Sequence, residues 1–174
     1  SFMPDAAGTG ELQPVSQVAI LHDDDGDGRM DRKTVFLDNL VMPRALAFTQ
    51  GGVLICEPPG LYHYPILAGD KPGRRTVVDP DYAPRAAPVD GKMNVEHAVN
   101  GLARGLDNWF YNAKATTKYR YVDEEWKKET TYFKGQWGIC QDNYGRLVFN
   151  SNSDHFRVEP IPSEYLQRNP FHRG

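Results

Sequence analysis

Residues 22–34, HDDDGDGRMDRKT, set aspartates at alternate positions between two apolar runs. Asp23, Asp25 and Asp27 occupy positions 1, 3 and 5 of a D-x-D-x-D-G pattern, with Gly28 at position 6, Arg29 at position 7 and Asp31 at position 9. Alternate carboxylates can point inward while the glycine takes the bend and position 7 offers its backbone carbonyl. This is the donor pattern of a loop that wraps a hard cation in oxygen. An EF-hand would carry a bidentate Glu at position 12, where this chain has Thr34. The flanks VAILH and KTVFL are short, β-branched and apolar, so they predict strands and not helices. The expectation is a calcium loop at the tip of a β-hairpin, with Asp31 as its last carboxylate. The competing expectation is an acidic turn that binds nothing. Against it stands the mutual repulsion of three clustered carboxylates at neutral pH.

Two further runs carry polar groups suited to chemistry. In EHAVNGLARGLDNWFYNAK (96–114), His97 follows Glu96 and precedes Asn100. A histidine beside a carboxylate can serve as a general base, because its pKa lies near neutrality and the acid can orient the ring. The plainer alternative is a histidine bonded to a loop carbonyl. In FNSNSDHFR (149–157), Asn150, Asn152, Asp154 and His155 follow an apolar strand. Asn150, Asn152 and Asp154 suit a substrate or cofactor contact, or equally an Asx-rich turn bonded to its own backbone.

The elements that would position these residues repeat along the chain. PRALAFTQGGVLICEPPGLYHY (43–64), NGLARGLDNWFYNAKATTKYRY (100–121) and GQWGICQDNYGRLVFNSNSDHFR (135–157) share one grammar. A small-residue strand meets a turn, and a strongly apolar strand follows. RKTVFLD (32–38) and RRTVVDP (74–80) also align, which places PILAGDKPG where the first hairpin has DDDGDGRMD, with Asp70 the one aspartate remaining. Units of about 40 residues built from short antiparallel strands predict blades of a β-propeller. A β-sandwich is the structural alternative, although it requires no such period. The reading is an all-β fold, part of a propeller of about three to four blades, with a ring this chain alone does not close. It comprises an outer hairpin over 18–40, blades over 43–80 and 100–134, and the start of another over 135–160, all within one partial domain. A helical turn or two is expected near 163–167. Trp109, Tyr111, Trp137 and Tyr144 read as packing aromatics.

Bulk properties narrow the function classes. The 174 residues carry 20 basic and 23 acidic side chains, a net charge of -3, so no basic field suggests nucleic acid as a partner. No apolar run reaches membrane-spanning length. Cys56 and Cys140 lie far apart in apolar contexts with no C-x-x-C pattern, which predicts buried thiols and gives no support for zinc or covalent haem. The chain opens SFMPDAAG and closes NPFHRG, and both ends read as cut. Remaining blades, from a longer protein or a partner chain, are expected to complete the ring.

The run from Glu96 and His97 through Leu102, Gly105, Asp107 and Tyr111 resembles a motif of the glucose/sorbosone dehydrogenases. The whole chain is more similar to the membrane-bound dehydrogenase propellers of planctomycetes and Verrucomicrobia, through DDDGDGRMD, HAVNGLARGLDNWFY and GQWGICQDNYGRLVFNSNSD. The resemblance implies a periplasmic or secreted oxidoreductase that binds calcium and pyrroloquinoline quinone and oxidises an alcohol or sugar, with a c-type cytochrome as electron acceptor. It implies His97 as the base that takes the substrate hydroxyl proton, with Glu96 supporting it. An enzyme of this kind requires Asn100 and the Asn150, Asn152 and Asp154 cluster to converge with His97 on one cavity as cofactor contacts, since strand-to-loop exits on one propeller face line the channel. After Tyr111 the chain departs from that pattern, with NAKATTKYRY in place of a Gly-Asp loop. A calcium-stabilised binding or scaffold module without turnover is the alternative function.

Overall fold

The computed structural model describes residues 13–83, 98–166 and 168–171. Strands account for 49% of these residues and helix for 3%. The chain is all-β and forms part of a β-propeller, built from short antiparallel meanders. It divides into two compact units, Ser1–Val95 and Glu96–Gly174.

In the first unit, β1 (Ser16–His22) and β2 (Arg32–Leu40) form the hairpin that carries the aspartate loop. β3 (Ala45–Thr49), β4 (Gly52–Glu57), β5 (Gly60–Leu67) and β7 (Thr76–Asp79) form a four-stranded antiparallel blade, and β6 (Lys71–Pro72) folds back on the end of β5. β4, GVLICE, is buried along nearly its whole length, as an apolar run at the centre of a sheet must be. Alternate residues of β2 turn inward, so Phe36 packs with Val53, Ile55 and Tyr64 of the blade, with Val18, Ile20 and Ile66 around them. Burying such side chains stabilises by about 1.5–3 kcal/mol each, and this core seats the hairpin on the blade.

In the second unit, β8 (Asn100–Arg104), β9 (Phe110–Ala113), β10 (Thr117–Val122) and β11 (Glu125–Thr130) form a second antiparallel blade. β12 (Ile139–Gln141), β13 (Leu147–Phe149) and β14 (Arg157–Glu159) form a three-stranded sheet, followed by the single helical turn α1 (Ser163–Leu166). Trp109, Tyr111 and Leu147 form the core between these two sheets, with Ile139 and Phe149 against it. The outer strand β11, EWKKET, is largely exposed and strongly charged. Among the described residues, no helix is long and apolar enough to cross a membrane.

Two sequence expectations are corrected, those for Tyr144 and Cys140. Tyr144 is 84% exposed, because the Asp142–Gly145 turn carries it clear of the sheets. Trp137 is half-buried, with its indole N–H donating to Asn152. Cys140 is an exposed free thiol in the middle of the short strand β12, where alternation turns it outward. Cys56 is buried and also free, and burial pushes its thiol pKa up to about 12.

Candidate functional site

The aspartate loop is folded around Asp23. The backbone N–H groups of Gly26 (2.7 Å), Asp27 (3.1 Å) and Gly28 (2.9 Å) all donate to its carboxylate. Asp25 Oδ1 accepts from the Asp27 N–H at 3.1 Å, and Asp27 Oδ1 accepts from the Arg29 N–H at 2.7 Å. Gly26 and Gly28 take positive φ, +78° and +88°, which lets successive N–H groups turn inward. Asp23, Asp25 and Asp27 each bring one oxygen to within 4.8 Å of the others. Asp31 stands apart from this trio: its Oδ2 accepts the Asp24 N–H at 2.8 Å and closes the loop's neck. The donor set is all oxygen, so it fits a hard cation and not a soft or borderline one.

The second polar cluster lies in the second unit and centres on Gln136. The Asn100 side-chain amide donates to the Gln136 carbonyl at 3.0 Å, and the Gln136 N–H donates to the Asn150 carbonyl at 2.8 Å. Gln136 Oε1 accepts the Asn152 N–H at 2.7 Å, while Asn152 Oδ1 accepts from Trp137 Nε1 at 3.2 Å. One residue thus ties together Asn100, Asn150 and Asn152. Asp154 points elsewhere, into an ion pair with Arg157. Asn150 Oδ1 is buried without a hydrogen-bond partner, and Asn150 lines a shallow cavity of about 290 Å³ with Ile139, Cys140, Phe149 and His155. A buried acceptor left open is costly unless something donates to it. Beside the cluster, β8 bulges between Gly101 and Ala103, and Leu102 takes φ +73°. That conformation is strained for a bulky residue, and bulges of this kind re-aim side chains near functional sites.

Glu96 and His97 lie outside the described residues. The sequence gives little sign of Gln136 as the hub, because a Gln before Trp in a glycine-rich run reads as a loop residue. The usable signal was its place in the GQWGI run.

A second cavity of the same unit, about 230 Å³, is lined by Asp107, Tyr111, Arg146, Glu159 and Glu164 among others. Its carboxylates are engaged from within the fold. The Tyr111 hydroxyl donates to Asp107 at 2.6 Å, Lys134 donates to both oxygens of Glu159, and Lys118 and Thr131 donate to Glu164. Burial, reinforced by the Asp107 carboxylate, raises the Tyr111 pKa well above the ordinary phenol range, so its hydroxyl stays protonated.

No curated protein and no solved structure matches the chain. One family does, over residues 2–173, and the chain belongs to it: the family described as a domain of unknown function, DUF7133.

Proposed function

We propose that the chain is a calcium-braced propeller segment that serves as a binding or scaffold module. The observation that carries this reading is the gathering of Asp23, Asp25 and Asp27 oxygens within 4.8 Å, in a loop whose backbone is already wrapped round Asp23. Bound calcium would offset the mutual repulsion of the three clustered carboxylates. The loop itself orients the oxygens, and the β1–β2 hairpin transmits the brace to the Phe36 core. Titration of the metal-stripped chain with Ca²⁺ in a calorimeter is the test. One saturable site is expected, together with a stabilisation of about 2.7 kcal/mol once free calcium reaches a hundred times Kd. Asp25→Asn is expected to abolish both. A flat titration with an unchanged melting curve would overturn the reading.

A second reading is favoured by the Gln136 cluster: an oxidoreductase that oxidises an alcohol or sugar with pyrroloquinoline quinone. In that reading Asn100, Asn150 and Asn152 hold the cofactor, with Asn150 Oδ1 accepting from it, and His97 takes the substrate hydroxyl proton. Its test is titration of the calcium-loaded chain with the quinone. Binding lost in Asn150→Ala supports it, and absence of binding to the wild-type chain leaves the scaffold reading alone.

A further inference from the structure

The aspartate loop is held at its base by one carboxylate from outside it. Asp70 sits in the turn between β5 and β6, at the hairpin that aligns with the aspartate loop but retains a single acid. His22, the last residue of β1, and Arg32, the first of β2, face each other in register at the base of the loop. His22 Nε2 donates to Asp70 Oδ2 at 2.6 Å, and Arg32 Nη1 lies 3.9 Å from the same oxygen. Arg32 also reaches into the loop, with Nε and Nη2 donating to Asp24 at 3.3 and 3.1 Å. The Asp24 N–H in turn donates to Asp31. A continuous hydrogen-bonded and ionic chain therefore runs from the neighbouring blade, through both jaws of the loop, to its neck.

We propose that Asp70 is a positioning residue that holds both jaws of the aspartate loop against the blade and thereby raises the loop's affinity for calcium. This rests on the calcium reading above. Asp70 need not touch the cation. A loop whose base is already pinned loses less conformational freedom when its carboxylates converge, and preorganisation of that kind appears as affinity. Outer partners bonded directly to metal ligands commonly change affinity by about 10- to 100-fold when removed, and Asp70 acts one step further out, through His22 and Arg32.

The test is Ca²⁺ calorimetry on the metal-stripped chain and its variants. Asp70 has φ +59°, a conformation asparagine also tolerates, so Asp70→Asn removes the charge and keeps the turn. His22→Leu removes the donor from the other side, and circular dichroism checks that each variant retains its strands. Each single change is expected to weaken calcium binding about tenfold, the lower end of the outer-partner range. The double variant should be no weaker than the weaker single, because both act through one network. Additive losses would overturn the latch, as would wild-type affinity in Asp70→Asn with the calcium site intact. Failure of the wild-type chain to bind calcium would bring down both proposals.

Discussion

At the scale of single residues, close approach decides what the sequence tolerates. Gly135 has φ +75°, and a Cβ there would lie 2.2 Å from the Asn150 carbonyl oxygen. Backbone cannot yield as a flexible side chain can, so Gly135→Ala combines left-handed strain of about 1–3 kcal/mol with a clash. Urea denaturation should show a loss of about 2 kcal/mol or more, whereas Gly138→Ala, where a Cβ meets nothing, should stay within about 0.5 kcal/mol. His63 offers a second handle. Its ring, on β5, is bonded to the Thr49 hydroxyl at 3.0 Å, and burial lowers its pKa from 6.5. The unfolded chain therefore takes up the proton first. The neutral ring's contribution is fully present above pH 6.5 and is lost as pH falls through the lower folded-state value. Melting temperature should fall on acidification below neutrality, and less steeply in His63→Gln.

At the scale of elements, a buried ion pair ties the β11–β12 connection to β14. Lys134, 1% exposed, donates to both oxygens of Glu159 on β14, at 2.8 and 2.7 Å. The Ser163 N–H at the start of α1 donates to the same carboxylate at 2.7 Å, and Glu164 bonds back to Lys118 and Thr131. Lys134→Met leaves Glu159 buried and uncompensated, so a loss of about 3–5 kcal/mol is expected in urea denaturation. Adding Glu159→Gln should recover most of it, since a neutral amide removes the buried charge. None of this network was legible in the sequence. Lys134 reads as an ordinary surface lysine in YFKGQW, and its partner lies 25 residues away. The strands themselves were legible, because GVLICE and FYNA are apolar runs bounded by Gly, Asn and Asp turns, and such runs need no tertiary information. The bulge at Leu102 was not, since a leucine gives no hint of a left-handed backbone.

At the scale of the whole molecule, the all-β partial propeller could be read from the repeated strand-turn-strand grammar, since local alternation and turn chemistry dictate short antiparallel strands. The aspartate loop was equally visible, because its carboxylates and the backbone groups they bond lie in one contiguous stretch. The Gln136 cluster and the Asp70 contact were not, because they join residues 36 and 48 positions apart through tertiary packing alone. The outer strand β11 has a consequence for how copies of the chain behave in company. It pairs with β10 on one side only, and its outer row of residues meets no further strand among the described residues. Glu125, Lys127, Lys128 and Glu129 stud that row with charge of both signs. An incoming strand would have to desolvate these charges to pair with it, so the edge resists templating its own aggregation. Replacing Lys127 and Lys128 with valine is expected to turn a monodisperse solution into one that scatters light and binds amyloid dyes on standing, with the folded signal at low concentration unchanged.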